Sequence, residues 1–401
     1  MLQTARPTRF LQPEPETADG LRVALFSGNY NYTRDGANKA LNRLVAHLLE
    51  RGAAVRVYSP TSRRPAFEPT GELISVPSLA IPGRSEFRVA LGLPRTIAED
   101  VRAFAPNVVH VSAPDWLGTA AQRLAREMGI PIVASMHTRF ETYCEYYGLR
   151  RLRGWVVNRQ RQFYCASDRV LVPNDPSGQH LIGIGVPVDR IGIWSRGVER
   201  ALFNPARRDP AWRRALGYSD EDVVLLFFGR IVREKGTTCF AQTVRELRRR
   251  GLVVRPLVVG AGPARAELEL QLGQAVFLGH LEGDELSRAV ASADILLNPS
   301  LTEAFGNVNL EAMAAGLCVV SADVGSASAI ITDRKDGYLV DAEPSALADA
   351  VFRLANHPAT RRRIARNAVA TAQAYQWSAV LDDVVRTYRE VTTRPHDAGI
   401  V

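Results

Sequence analysis

Two clusters in this sequence pair charge with backbone freedom in a way that suits chemistry on a phosphorylated, hydroxyl-rich ligand. The first is Pro299-Ser300-Leu301-Thr302-Glu303-Ala304-Phe305-Gly306-Asn307-Val308-Asn309-Leu310-Glu311. It sets Glu303 in a loop after an apolar run and Glu311 about two turns along a helix that starts near Gly306 or Asn307. A helix start presents unpaired N–H groups and the positive end of the dipole, which suits a phosphate or sugar hydroxyls. Carboxylates on either side accept hydrogen bonds from hydroxyls. Two glutamates on a helix are common by themselves; the buried strand ahead of them and the Ala-Phe-Gly between them give this pair its meaning.

The second cluster is Phe228-Gly229-Arg230-Ile231-Val232-Arg233-Glu234-Lys235-Gly236. A strand delivers Gly229, which leaves room for close approach, and Arg230 and Lys235 follow on a loop. Two cations neutralise a departing diphosphate better than one. The alternative is a pair of surface charges with Arg233 and Glu234 as their partners. A third segment, Val258-Val259-Gly260-Ala261-Gly262-Pro263, is a glycine turn between strand and helix. Arg265 stands where G-x-G-x-x-G needs glycine, so the dinucleotide fingerprint is not met, although a mononucleotide can still approach the backbone. Asp35-Gly36 precedes a helix carrying Lys39, and Gly36 lets amides approach a phosphate. His137, in Ser135-Met136-His137-Thr138-Arg139-Phe140, follows a buried strand; most isolated histidines are structural or solvated, and its position is what singles it out. The seven histidines and four cysteines show no ligand spacing, so neither a metal site nor a disulfide framework is expected.

These residues need a scaffold of alternating strands and helices. Val23 to Ser27, Val55 to Tyr58, Val108 to Val111, Pro131 to Met136 and Val170 to Val172 read as strands with helical segments between them. The alternation restarts after residue 205 with strands at Val223 to Phe228, Pro256 to Val259, Ala275 to Leu278, Ile295 to Leu297 and Val319 to Ser321. Such alternation means parallel sheets covered on both faces, here two doubly wound α/β halves joined near Arg196 to Pro205. Ligands in such sheets bind beyond the carboxyl ends of the strands, so a cleft between the halves is the expected site. The last stretch, Arg361 to Val391, is helical with a break near Gln376-Trp377-Ser378.

At 401 residues with 46% hydrophobic and 23% charged content, the chain has room for two packed cores. Residues 1–20 read as a disordered extension without a secretory apolar core. No window approaches the roughly 18 apolar residues of a spanning helix. The net charge of +8 and pI near 9.6 come largely from arginine, which favours phosphate partners: a nucleotide, a nucleic acid or an anionic lipid surface. Arg150, Arg151, Arg153, Arg159 and Arg161 interleave with Leu152, Trp155 and Val156 without an acid, a pattern that fits either anionic headgroups or a solvated helix face.

Together these segments resemble the family-4 glycosyltransferases from about Leu21 to Arg389. The most specific matches are Thr302 to Glu311 with the following Ala312-Met313-Ala314-Ala315-Gly316, Gly229 to Gly236, and Val259 to Pro263. His137 to Tyr143, Tyr146-Tyr147-Gly148 and Trp194-Ser195-Arg196-Gly197-Val198 resemble the branch with GDP-mannose-dependent α-mannosyltransferases and sulfoquinovosyl-lipid synthases.

The resemblance implies the GT-B fold: two Rossmann-like, doubly wound domains facing across a cleft, an acceptor domain over 21–198 and a donor domain over 199–375. A helix over 376–395 would cross back to the first domain. It implies retaining transfer of a hexose from a GDP- or UDP-linked donor to a lipid or lipid-linked glycan, with no metal or other cofactor. By it Arg230 and Lys235 hold the diphosphate, Glu311 the ribose, and Glu303 with amides near Phe305, Gly306 and Asn307 the donor sugar. His137 contacts the sugar near its C6 oxygen, Gly36 lies by the phosphate, the base rests near Gly260 and Val276 to Leu278, and Gly229 and Gly262 are further donor-binding residues.

Arg139, Glu141, Tyr143, Arg150, Arg153 and Trp155 are the expected acceptor or membrane contacts. The expected location is cytoplasmic, peripheral on the inner face of the membrane. Asp35 before a single Gly36, where the family often has paired glycines, and Glu199, where aspartate is usual, depart from the family pattern. The rival readings are a UDP-sugar-dependent glucuronosyl, glucosyl or sulfoquinovosyl glycolipid synthase, a sugar-nucleotide epimerase, a phosphorylase and a non-catalytic nucleotide- or glycan-binding protein. A specific nucleic-acid binder lacks a recognition module here.

Overall fold

Short β-branched runs separated by amphipathic helices cannot pair locally as hairpins, and the chain resolves them into two parallel sheets. In the computed structural model, which describes residues 16–33, 35–81, 84–138 and 150–393, the chain divides into two compact units. The first comprises residues 1–196 with 378–401, the second residues 197–377.

The first unit holds β1 (Arg22–Phe26), β2 (Ala54–Ser59), β3 (Glu72–Ser75), β4 (Ser78–Ile81), β5 (Arg84–Ala90), β6 (Val108–Val111), β7 (Ile132–Ser135), β8 (Arg169–Val172) and β9 (Ile191–Ile193). Seven of them form a parallel sheet in the order β3-β2-β1-β6-β7-β8-β9, while β4 and β5 form a separate antiparallel ribbon. β3, the ribbon and β9 are not apparent in the sequence pattern. β3 and β9 are short and only half-buried at best, so they lack the continuous apolar run that marks a central strand.

The second unit holds β10 (Val223–Phe228), β11 (Val254–Val259), β12 (Val276–Gly279), β13 (Ile295–Asn298), β14 (Cys318–Ala322) and β15 (Tyr338–Val340). All are parallel, in the order β12-β11-β10-β13-β14-β15. Along β10 the side chains alternate between two apolar clusters: Val224 and Leu226 face one, Val223, Leu225 and Phe227 the other. Burial on both faces is why the strand reads as unbroken hydrophobic sequence rather than as alternation.

In both sheets the order reverses beside the first strand, between β1 and β6 and between β10 and β13. At such a switch point the loops leave in opposite directions and open a crevice at the carboxyl end. The opposite end of the second sheet is fixed by the fully buried Arg213. Its Nη1 donates to Asp294 Oδ2 at 3.0 Å, and the same oxygen accepts from the Val224 amide at 2.9 Å, tying the starts of β10 and β13 together.

The helix Trp377–Thr393 belongs to the first unit from Ser378 onward. Asp382 Oδ1 meets His47 Nε2 at 2.7 Å, Arg169 donates to Glu390 at 3.1 Å, and the Tyr388 hydroxyl lies 2.6 Å from His110 Nδ1. None of the helices among the described residues is long and apolar enough to cross a membrane.

Candidate active site

The loops that leave β10 and β13 meet at the switch point of the second sheet. Their junction is an ion pair: Lys235 Nζ donates to Glu303 Oε1 at 2.7 Å, both side chains retaining some exposure. Around it the loops are laced by hydroxyls, with Thr302 Oγ1 donating to the Glu234 carbonyl at 3.1 Å and Ser300 Oγ to the same carbonyl at 3.4 Å. Lys235 therefore does not pair with its neighbour Glu234, and Arg233 turns away to Glu267 at 3.1 Å. That removes Arg233 and Glu234 as the partners of Arg230 and Lys235. Arg230 is exposed and makes no side-chain hydrogen bond or ion pair among the described residues.

Glycines let these loops come so close. Gly236, at φ 73°, sits where a Cβ would lie 2.7 Å from the Pro299 carbonyl oxygen, so only glycine lets the Lys235 loop rest on the end of β13. Gly260, at φ 143°, has no room for a Cβ against the Gly229 carbonyl, and a Cβ on Gly262 would stand 2.2 Å from the Ile231 carbonyl. The glycine turn after β11 thus serves backbone packing against the Arg230 loop, which brings Gly229, Gly260 and Gly262 together.

Two helices begin at this junction, Thr237–Arg249 after Gly236 and Asn307–Ala314 after Gly306, which has φ 93°. Neither receives a side-chain cap, and neither carries an acid in its first turn. Their leading amides and positive dipole ends add to the two cations, so the junction attracts anions. The sequence does not mark the first of these helix ends as an anion site, because its glycine reads as an ordinary turn.

Asn307–Ala314 is held in register by buried amides. Asn298 Nδ2 donates to Asn309 Oδ1 at 2.8 Å, and Asn309 Nδ2 donates to Ser321 Oγ at 3.2 Å, joining the helix to β13 and β14. Glu311, half-buried, rides on that helix. The Phe305 ring is core, edge-on to Tyr375, so only its backbone faces a ligand.

Gly36, His137, Arg153 and Trp155 lie in the first unit. Gly36 opens the helix Gly36–Glu50, whose cap is Asp35; its carboxylate accepts from the Asn38 amide at 2.8 Å and places negative charge at the helix start. Asp115, unrecognised in the sequence, stands at this unit's switch point. It caps the helix Trp116–Glu127 through a 2.6 Å bond from the Gly118 amide, and burial pushes its carboxyl up to about 6. Gly28 lies against its other oxygen, with no space for a Cβ.

His137 follows β7 with both ring nitrogens engaged, Nδ1 by Arg196 Nη2 at 2.8 Å and Nε2 by Ser135 Oγ at 2.8 Å. The contact to a C6 oxygen through a ring nitrogen would require giving up one of these bonds. Burial, then the neighbouring Arg196 and His110 charges, holds its imidazole well below the usual value. Trp155 is exposed on the helix Arg153–Cys165, with Leu152 and Arg151 exposed ahead of it, whereas Arg159 turns inward to Thr119 Oγ1 at 3.2 Å. Arg139, Glu141, Tyr143 and the Arg150 side chain lie outside what the structure describes. Among the described residues no group of three or more His, Cys, Asp or Glu is placed to hold a metal.

Residues 34–202 match the family described as Glycosyltransferase Family 4, and residues 222–357 that described as Glycosyl transferases group 1. A GDP-mannose-dependent alpha-mannosyltransferase of Mycolicibacterium smegmatis is 30% identical over 387 residues, covering 93% of this chain and 98% of that protein. The chain belongs to glycosyltransferase family 4. A sulfoquinovosyl transferase of Arabidopsis thaliana is 31% identical to this family-4 glycosyltransferase over 374 residues, covering 89% of this chain and 71% of its own.

Among solved structures, sucrose-phosphate synthase from Thermosynechococcus elongatus matches with a TM-score of 0.72 at 21% identity, covering 92% of this chain and 98% of that one. Anabaena HepE in complex with UDP and glucose matches with a TM-score of 0.72 at 18% identity, covering 92% of this chain and 100% of that one. These likenesses establish the fold, which is GT-B. The family-4 glycosyltransferase is an enzyme that draws on a nucleotide-sugar donor.

His110 gives this first unit a pH signature. Burial pushes its imidazole down to about 3, from an ordinary value of 6.5. A histidine with a depressed folded value contributes stability that is full above 6.5 and lost as the pH falls from there towards 3. Urea melts at pH 7.5 and pH 5.0 should show the wild type losing roughly 2 kcal/mol more on acidification than His110→Asn, at about 1.4 kcal/mol per pH unit. Equal losses in the two proteins would mean that His110 is not buried neutral.

Proposed function

We propose that this glycosyltransferase moves a hexose from a nucleoside-diphosphate sugar to a hydroxyl of a lipid or lipid-linked glycan, with retention, in the manner of an α-mannosyltransferase. The observation that carries this reading is the Lys235–Glu303 pair at 2.7 Å, set between two uncapped helix starts at the switch point. A diphosphate-binding cation and a hydroxyl-binding carboxylate are thereby in contact, as a sugar directly bonded to a diphosphate demands. Lys235 has three N–H bonds, so it can keep Glu303 while donating to a phosphate oxygen.

In this reading Arg230 and Lys235 carry the charge that builds on the leaving diphosphate. Glu303 and the amides of Phe305, Gly306 and Asn307 hold the sugar hydroxyls, and Glu311 the ribose. Gly36 is the further residue assigned to the phosphates in this reading. Gly229, Gly260 and Gly262 leave the backbone open to phosphate and base. The C1–O bond to the acceptor forms as the C1–O bond to the diphosphate breaks on the same face. The acceptor proton passes to the departing oxygen, so no protein base and no metal ion are needed. His137 is the further residue assigned to the sugar in this reading.

A UDP-linked glucuronosyl, glucosyl or sulfoquinovosyl donor is the second reading, favoured by the 31% identity to a sulfoquinovosyl transferase. For the acceptor side, the exposed Trp155 and Leu152 with Arg151 and Arg153 beside them fit an anionic membrane surface, and Arg139, Glu141, Tyr143 and Arg150 are the remaining expected acceptor or membrane contacts. That would place the enzyme peripherally on the inner face of the cytoplasmic membrane.

Donor turnover should require an acceptor alcohol, and Lys235→Ala should lower kcat by about 10²–10³-fold with little change in acceptor KM. Turnover without acceptor, or an unaltered kcat in the variant, would remove this mechanism. Flotation with vesicles containing phosphatidylglycerol should recover the wild type and several-fold less of Trp155→Ala. Equal recovery of the two would take Trp155 out of any membrane contact.

A further inference from the structure

The first unit contains a line of polar groups that the transfer chemistry above does not use. From the Tyr388 hydroxyl it runs 2.6 Å to His110 Nδ1, from His110 Nε2 2.8 Å to Ser135 Oγ, from Ser135 Oγ 2.8 Å to His137 Nε2, and from His137 Nδ1 2.8 Å to Arg196 Nη2. Tyr388, His110, Ser135 and Arg196 are buried. The line ends at Arg196, the last residue of the first unit before the chain enters the second.

Arg196 fixes the polarity at His137. A guanidinium has only donors, so the nitrogen it meets must be an acceptor. His137 Nδ1 therefore carries no proton, and a neutral ring must carry its single proton on Nε2, which donates to Ser135 Oγ. A doubly protonated ring would set an N–H against the N–H of Arg196.

The arginine is itself locked. Nη1 donates to the carbonyls of Trp194 at 2.9 Å and Ser195 at 3.0 Å, and the guanidinium lies over the Trp194 ring at 5.1 Å. Trp194 also meets the His137 ring edge-on at 5.2 Å. Among the described residues the charged and titratable groups facing His137 are Arg196 and His110. Burial brings the guanidinium down to about 10, so it is still charged at neutral pH.

We propose that Arg196 is a positioning residue for His137, which it holds as a neutral ring with its proton on Nε2, donated to Ser135, so that His137 serves transfer without gaining or losing a proton. Its relevance to transfer rests on the reading of His137 as a site residue given above. His110 and Tyr388 support the line from behind and keep Ser135 in place. The Trp194-Ser195-Arg196 segment is thereby a clamp on His137, and the helix Trp377–Thr393 reaches the same line through Tyr388.

The test is ¹⁵N NMR of the full-length protein with labelled histidine, His137 being assigned by the signal missing from His137→Asn. The wild type should show an unprotonated Nδ1 and a protonated Nε2, unchanged from pH 8 to pH 5.5. Arg196→Met should let the ring exchange between tautomers and titrate within that range, and kcat of the variant should acquire an acid limb that the wild type lacks.

Ser135→Ala should keep the Nε2–H form, because Arg196 and not Ser135 sets it; this variant decides the matter if Arg196→Met does not fold. A protonated Nδ1 or a titrating His137 in the wild type overturns the proposal. So does an Arg196→Met protein whose ring is unchanged, or a switch of tautomer in Ser135→Ala. The tautomer is read without substrate, so a protein lacking transferase activity would sink the functional reading and leave this one standing.

Discussion

A half-buried ammonium at the carboxyl end of a parallel sheet is costly unless something answers its charge, and in this protein Glu303 answers Lys235. The pair joins loops from β10 and β13, neighbours in the sheet whose connections leave on opposite sides. Everything nearby serves that junction: Gly236 lets one loop rest on Pro299, the Glu234 carbonyl gathers Ser300 and Thr302, and two helices start there without caps. The result is a surface rich in donors with carboxylates beside them, which favours a polyanion bearing hydroxyls.

The supporting parts lie one layer back. Arg213 and Asp294 fix the amino ends of β10 and β13, so the carboxyl ends emerge at a set spacing. Asn298, Asn309 and Ser321 fix the helix that carries Glu311. Buried amides left without partners would cost about 1–3 kcal/mol each, which makes this register hard to slip. The chemistry then needs little movement of the donor-side groups, since their places are set before any ligand arrives.

Much of this can be read in the sequence because it is local. Arg230, Lys235 and Glu303 each stand on the loop that directly follows the strand delivering them, Glu311 lies on the next helix, and β10, β11 and β13 announce themselves as unbroken apolar runs. What cannot be read is what depends on distance along the chain. Nothing near Gly260 shows that its hydrogen faces the Gly229 carbonyl, and nothing near Lys235 shows that it prefers Glu303, 68 positions away, to the adjacent Glu234. The line from Tyr388 to Arg196 draws on four separate segments, with its ends brought together only by the fold. Asp115 is silent for another reason: a capping aspartate before a helix is commonplace, and only burial beside Gly28 sets this one apart.

Family membership fixes the reaction class, and the site explains how this chain could perform it: cations and helix ends for the diphosphate, carboxylates for hydroxyls. The claim at the centre is that the junction recognises the diphosphate itself. Isothermal titration of nucleoside diphosphates against the matching monophosphates tests it most directly. The account predicts that the diphosphate of the preferred base binds at least tenfold more tightly, about 1.4 kcal/mol, with an advantage that shrinks as salt rises. Equal affinity for the two, or an advantage indifferent to salt, would contradict it.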